Sequence, residues 1–393
     1  MEEWKKCTVG EITQMSNGRK RPNTVGQIPV YGGNGIMDYV STHNQEDTIV
    51  IGRVGAYCGC VYLAEGKSWV SDNAISVKNT DQVDLHYLYY LLKNLNLNHH
   101  HIGAAQPLMT QDVIGRIAIR IPNLDTQRKI AQILKSLDQK IELNNRINHN
   151  LEEQAQALFK SWFEDFEPFK NGEFIESELG MIPSALTIRH ISDIPHILET
   201  GRRPKGGVGE LSTGVPSIGA ESIKGLGYFD SSKVKYISDE FASTLKKGWI
   251  DGYELLIYKD GGTPGYFIPN YSIFGEGFPF ERMCLNEHVF KLDFHDRGIN
   301  AFAYFYFHTD YVFNYLNAQG GKAAIPGINQ KDIESLWIYD PSNEYVQIFA
   351  KRLSPMITAI LKNCKSNMKL IRMRDILLPK LMSGELNINE IEC

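Results

Sequence analysis

A heptad seam written twice, 219 residues apart, constrains this 393-residue chain more than any other feature. In the first stretch Ile130, Leu134, Leu137, Ile141, Asn144, Asn148, Leu151, Ala155, Leu158 and Trp162 step by four and three without a break. In the second, Phe349, Leu353, Met356, Ile360, Asn363, Asn367, Leu370, Arg374, Leu377 and Leu381 repeat the steps, and Arg374 alone breaks the pattern. Such spacing sustained over several heptads indicates a coiled-coil helix rather than an ordinary surface helix. Each stripe needs cover, and the chain supplies one matching partner, the other helix. An internal repeat most often packs with pseudo-two-fold symmetry, which makes the helices antiparallel. The seam midpoints, 146 and 365, each fall between two asparagines. Antiparallel pairing about them sets Asn144 opposite Asn367 and Asn148 opposite Asn363. Buried amides of this kind fix register at a cost in stability.

What precedes each helix is also duplicated. At the same offset, Gln106-Pro107-Leu108-Met109-Thr110-Gln111 matches Ile325-Pro326-Gly327-Ile328-Asn329-Gln330, and Pro122 matches Pro341. Each copy opens on a short apolar run, then a polar turn, then glycine, basic residues and proline: Gly18-Arg19-Lys20-Arg21-Pro22 and Gly201-Arg202-Arg203-Pro204-Lys205. Between opening and helix, short Val/Ile/Tyr-rich runs such as Thr48-Ile49-Val50-Ile51 and Glu254-Leu255-Leu256-Ile257-Tyr258 read as strands between glycine turns. The fold class expected is α+β: two mixed α/β globules joined by two long helices packed as an antiparallel coiled coil, an internal repeat with pseudo-two-fold symmetry. The expected boundaries are a first globule over 1–124, a long helix over 125–166, a linker loop over 167–185, a second globule over 186–341, a second helix over 342–383 and a tail over 384–393. A helix of this length would hold two heads roughly 50 Å apart, more than one turn of B-DNA at about 34–36 Å.

Composition excludes several functions. Apolar content of 42% suits a soluble globular protein, and no run of 18 apolar residues could span a bilayer. With no apolar leader at the N-terminus, a cytoplasmic protein with no membrane partner is expected. Six scattered cysteines form no Cys-x-x-Cys pair, and His99-His100-His101 lacks partners at ligand spacing, so no metal site is expected. Pro-Pro, a phosphate-binding Gly-x-x-x-x-Gly-Lys-Ser/Thr loop and a Gly-x-Ser-x-Gly elbow are absent, which leaves no catalytic residue to name and no enzyme. The acids between Asp251 and Asp260 read as solvated turn residues.

With these features in place, the chain resembles the specificity subunits of type I restriction-modification enzymes. The resemblance rests on the two Gly-basic-Pro openings, the duplicated segments ending at Pro122 and Pro341, the paired helices, and the closing Leu377-Leu378-Pro379-Lys380-Leu381-Met382-Ser383-Gly384-Glu385-Leu386. It implies two target recognition domains, each reading half of a bipartite, asymmetric site in double-stranded DNA. It implies helices that dock two modification (methyltransferase) subunits, with restriction and motor subunits added in larger complexes. S-adenosylmethionine and Mg/ATP would then sit on those partners, and this chain would carry no cofactor. An orphan subunit with a partner encoded elsewhere would fold identically. A two-headed coiled-coil adaptor that binds proteins and not DNA is the alternative.

DNA reading needs phosphate contacts for position and base-edge contacts for sequence. The candidates are Arg19, Lys20 and Arg21 in the first copy and Arg202, Arg203 and Lys205 in the second, with Arg53, Lys224 and Lys259 from turns within the globules. Charge limits this reading. Residues 1–124 hold 11 basic and 11 acidic side chains, whereas residues 171–341 hold 15 basic and 22 acidic, net −7. Weak DNA binding by the isolated chain is therefore expected.

Overall fold

The structure, a computed structural model, describes residues 4–103, 107–208, 211–321 and 326–388. Gln106 and Ile325 of the duplicated segments, and Cys393, lie outside the described residues. The chain divides into two compact units, 1–141 with 370–393, and 142–369.

The first unit contains β1 (Lys5–Thr8), β2 (Thr13–Asn17), β3 (Ile28–Gly32), β4 (Gly35–Val40), β5 (Gln45–Gly52), β6 (Val61–Val70), β7 (Ala74–Asn79), α1 (Leu85–Asn94), α2 (Gln111–Gly115) and β8 (Ala118–Ile121), followed by the start of α3 (Leu124–Phe163). Six strands form one sheet in the order β2-β7-β5-β6-β3-β4, and β1 pairs antiparallel with β8. The Asp84 carboxylate starts α1 by accepting the amides of His86 and Tyr87 at 2.9 and 3.0 Å, which satisfies donors the first turn leaves unpaired. Ile49, Ile51, Ile75 and Val77 from the sheet pack with Tyr87, Leu88 and Leu91 of α1 and with Ile130 and Leu134 of α3. Leu381 and Met382, from the far end of the chain, complete this core.

The second unit repeats the plan. After the end of α3 come β9 (Phe174–Ser177), β10 (Gly180–Pro183), β11 (Ile188–His190), β12 (Ile197–Thr200), β13 (Val215–Ile218), β14 (Lys235–Ile237), α4 (Asp239–Ser243), β15 (Leu255–Tyr258), β16 (Gly262–Thr263), β17 (Tyr266–Phe267), β18 (Tyr271–Ile273), β19 (Cys284–Leu285) and β20 (Val289–Asp293). Then follow α5 (Arg297–Phe307), α6 (Asp310–Gly320), α7 (Gln330–Glu334), β21 (Trp337–Tyr339) and α8 (Glu344–Ser383). The sheet order β12-β20-β15-β18 is β2-β7-β5-β6 again, and β11 pairs antiparallel with β21 as β1 does with β8. Asp296 caps α5 as Asp84 caps α1, and Asn329 caps α7 as Thr110 caps α2. The copies differ where the first adds the β3-β4 hairpin to its main sheet and the second forms a separate β14-β13-β19 sheet.

Two sequence expectations need correction. Residues 167–185 are not a bare linker loop. They form the β9-β10 hairpin, and Phe169 and Ile182 are buried in the second core, because their apolar side chains gain more by joining it than by staying in water. Nor is Glu254 a solvated turn residue. It is buried, accepts the amides of Asp251 and Gly252 at 2.9 and 2.7 Å, and lies 3.9 Å from Lys291. These donors compensate the lost water, although burial still raises its carboxyl above the ordinary range.

The long helices run antiparallel, as their asparagines show within the second unit. Asn144 Nδ2 donates to Asn367 Oδ1 at 2.7 Å, and Asn363 Nδ2 donates to Asn148 Oδ1 at 2.8 Å. Two further groups close the layer: Asn367 Nδ2 donates to Asn145 Oδ1 at 2.7 Å, and Asn148 Nδ2 meets Cys364 Sγ at 3.5 Å. Towards the end of α3, Phe159, Trp162 and Phe163 pack with Phe349, Ala350 and Leu353 of α8. Within the first unit the seam break at Arg374 has a partner. Its Nη1 meets Asp138 Oδ1 at 2.8 Å, and the other Asp138 oxygen accepts the Tyr90 hydroxyl at 2.7 Å. Among the described residues, no helix is long and apolar enough to cross a membrane.

Replacing Asn144 by Ala leaves the buried Asn367 oxygen without its donor. Urea denaturation should show a loss of about 1–3 kcal/mol. Leucine at both 144 and 367 should recover or exceed the original stability, because an apolar pair needs no partner. A second prediction concerns His308, which burial holds below the ordinary imidazole range while its Nδ1 contacts the Tyr304 carbonyl at 2.7 Å. The unfolded chain takes up this proton near about pH 6.5, before the folded one does, so the stability is complete above that pH and lost as pH falls below it. His308→Gln should flatten the fall in melting temperature between about pH 7 and pH 5.

Candidate nucleic-acid interface

Strands β2 and β5 both pair antiparallel with β7, so their C-terminal ends lie at one edge of the sheet. The loop of Arg19, Lys20 and Arg21 leaves β2, and Arg53 follows β5 directly. Both rest on the turn between β6 and β7. Gly18 N–H donates to the Ala74 carbonyl at 3.0 Å, Arg19 N–H to Val70 at 2.9 Å, and Arg53 N–H to Asn73 at 2.9 Å. The Trp69 indole donates to the Arg19 carbonyl at 3.1 Å. Gly18 leaves no room for a side chain, since a Cβ there would stand inside the van der Waals radius of the Ser71 carbonyl.

The second globule has the same construction. Strands β12 and β15 both pair antiparallel with β20. Arg202, Arg203 and Lys205 leave β12, and Lys259 follows β15. Gly201 N–H donates to the Asn286 carbonyl at 3.1 Å, and a Cβ on Gly201 would overlap the Leu285 carbonyl. Lys259 N–H donates to His288 at 3.0 Å while its carbonyl accepts the Ile328 amide at 2.9 Å. In the first globule the Arg53 carbonyl accepts the Met109 amide at 2.8 Å. Arg53 and Lys259 are therefore structural equivalents.

The side chains divide into two kinds. Arg21 forms an ion pair with Asp38 of β4, and Arg203 forms one with Glu287. Lys259 Nζ reaches the Glu287 carbonyl at 3.4 Å and lies 5.5 Å from the Phe290 ring centre. Glu287 and residues 202–207 line one open cleft of about 510 Å³. Arg19, Lys20, Arg202 and Lys205 are exposed and have no ion pair among the described residues. Lys224 stands apart from these contacts, 5.6 Å over the Tyr228 ring. Burial raises the Cys58 thiol above its ordinary range, so it stays a donor to the Arg53 carbonyl at 3.5 Å. Among the described residues no group of His, Cys, Asp or Glu is arranged to hold a metal ion.

Sequence reading missed Asp38, Glu287 and the correspondence of Arg53 with Lys259. The last was available, because a basic residue ends both strand runs. The carboxylates gave no signal, since one lies 17 residues from its arginine and the other 84. Gly18→Ala and Gly201→Ala should each lower unfolding stability by about 1–3 kcal/mol by pushing the loop off its supporting turn. Chemical denaturation of each variant measures it.

Comparison with known proteins bears on the whole chain. Residues 1–153 match the type I restriction modification DNA specificity domain. The type I restriction enzyme MjaIX specificity subunit of Methanocaldococcus jannaschii is 26% identical over 344 residues, covering 85% of this chain and 76% of that protein. The HindI specificity subunit of Haemophilus influenzae is 27% identical, covering 71% of each. In fold, the chain is similar to the crystal structure of a type I restriction-modification S subunit from M. genitalium, with a TM-score of 0.64, 17% identity, and 97% and 96% of the two chains covered. With the duplicated plan on which these likenesses fall, the chain is similar in sequence and in fold to type I restriction-modification specificity subunits.

Proposed function

We propose that this chain is the non-catalytic DNA-reading subunit of a type I restriction-modification complex, with each globule reading one half of a bipartite, asymmetric site. The observation that carries the reading is the basic loop repeated at the same sheet edge in both globules, each seated on a glycine without room for a side chain. Arginine and lysine there can meet phosphates and guanine edges. The description of the matching family, a DNA specificity domain, and the names of the relatives, specificity subunits, favour this over a two-headed protein adaptor.

Modification subunits are the proposed partners of the helices. Leu143 and Ile147 on α3 and Ile371, Met373 and Ile376 on α8 are exposed apolar residues between 39% and 51% accessible. A helical partner can cover such positions. Those subunits would bring S-adenosylmethionine and methylate adenine, restriction and motor subunits would bring Mg/ATP, and the complex would work in the cytoplasm. Phosphate attraction from residues 171–341, net −7, is small, so the partners supply much of the grip.

The test is to map methylated adenines in DNA from cells that carry this chain with its modification subunits, then to exchange residues 1–124 for those of another family member. One half of the motif should change and the other should stay. Leu143→Glu with Ile147→Glu should abolish co-purification of the modification subunit while leaving the melting temperature within a few degrees, because both positions already face solvent.

A further inference from the structure

Each basic loop holds one arginine that differs from its neighbours. Arg21 immediately precedes Pro22, and Arg203 immediately precedes Pro204. Each is gripped by a carboxylate from a distant part of its own globule, Asp38 for the first and Glu287 for the second. The other basic side chains of the loops have no such partner among the described residues. Two globules that differ in the strands around these loops have arrived at the same arrangement.

An arginine paired with a carboxylate is a poor phosphate ligand. The pair is neutral overall, and its carboxylate repels the phosphate backbone. As a reader of base edges it is a good one. Free arginine loses rotamer freedom when it binds, and a guanidinium already fixed in place loses less. Arg203 is held through Nε, which leaves both terminal nitrogens to donate; Arg21 is held through Nη1, which leaves Nε and Nη2. The carboxylates are themselves fixed. Asp38 Oδ1 accepts the Tyr39 amide at 2.7 Å, and Glu287 Oε1 also lies 3.4 Å from His288 Nε2.

The pattern of donors and acceptors selects the base pair. In the major groove guanine shows two acceptors, N7 and O6, and its cytosine shows the N4 amino donor beside them. An arginine with a carboxylate at its side offers two donors and an acceptor in that order. An A·T pair shows acceptor, donor, acceptor, and mismatches it. In the second globule Glu287 lines the cleft with residues 202–207, and its Oε2 is buried without a hydrogen-bond partner among the described residues.

We infer that Arg21 and Arg203 are the guanine-reading residues of the two heads, positioned by Asp38 and Glu287, and that each half of the target contains a G·C pair read this way. Arg19, Lys20, Arg202 and Lys205 hold phosphates. The inference rests on the DNA-reading role proposed above.

The experiment uses the full chain co-expressed with its modification subunits in a host without adenine methylation, and reads the methylated motif. Arg21→Lys keeps the charge and loses the planar fork. It should cost about ten-fold or more of the discrimination at one G·C position, in the half that follows residues 1–124, with the other half unchanged. Arg203→Lys should do the same in the other half. Asp38→Asn and Glu287→Gln should relax the same two positions to a smaller extent. Lys20→Ala should instead lower methylation evenly across sites and make the salt dependence of binding shallower by about one released counterion. The inference is overturned if either Lys variant leaves its motif intact, or lowers methylation evenly without loosening any position. It is also overturned for any half whose motif contains no G·C pair. If the wild-type complex yields no two-part motif, the DNA-reading role itself fails. Melting temperatures of the variant complexes equal to the wild type place any change in reading rather than folding.

Discussion

Register between the two long helices is the constraint on which the rest of the structure depends. Both cores are completed by a helix end from the other half of the chain: Leu381 and Met382 in the first, Phe159, Trp162 and Phe163 in the second. A seam of leucine and isoleucine would permit sliding by a heptad, about 10.5 Å along the axis, with little loss at the seam itself. Such a slip would withdraw these side chains from the cores they fill. The asparagine layer prevents it. Asn144 and Asn367 are buried and joined by a 2.7 Å hydrogen bond, and a one-heptad slip would set Asn144 against Ile360 or Arg374 and Asn367 against Leu137 or Leu151. The energetic asymmetry is the one that matters for buried amides: a modest gain when paired, a larger cost when not. Arg374 reinforces the same register from within the first unit, because only there does it meet Asp138 and, through it, Tyr90.

The second dependence runs from sheet topology to the basic loops. Two parallel strands separated by one antiparallel neighbour must end at the same edge, and this holds for β2 and β5 around β7 and for β12 and β15 around β20. The loops at that edge need a firm seat if they are to present side chains in a fixed direction. Gly18 and Gly201 give it by letting backbone lie directly on backbone. Strand order therefore decides where the basic residues gather, and a missing Cβ decides how closely they are held.

How much of this was legible in the sequence follows from the range of the signals. The helices and their asparagine pairs were readable because periodicity is local and duplicated at a constant offset of 219. The repeat of the globules was readable at their openings and ends, where spacing is preserved, but not in the middle. Arg53 and Lys259 are equivalents at an offset of 206, so insertions and deletions elsewhere hide them from a single alignment shift. The hairpin at 174–183 was missed because Gly180 and Pro183 mark turns and also suit a linker. Glu254 was misjudged because acidic residues between glycines read as solvated, and nothing local announces Lys291. Asp38 and Glu287 were invisible for the same reason, since a tertiary ion pair has no period.

Formal charge was the weakest of these signals, and the structure explains why. The second globule's acids are largely engaged in holding its own backbone and lysines. Asp296 caps α5, Asp293 accepts the Asn300 amide nitrogen at 2.7 Å, Asp340 accepts the Ser342 amide at 2.8 Å, and Glu199 lies 3.1 Å from the buried Lys291. Charges spent in this way sit close to opposite charges or dipoles, and their field falls off within a few ångströms in salt. What reaches the basic edge is the local arrangement of Arg202, Arg203, Lys205 and Lys259 with Glu287. In the proposed DNA-reading role, a surface so composed would attract phosphate weakly and act on base edges. That combination would suit the proposed subunit with partners closing around the duplex, because a head that gripped any DNA tightly would dwell on the wrong sequences.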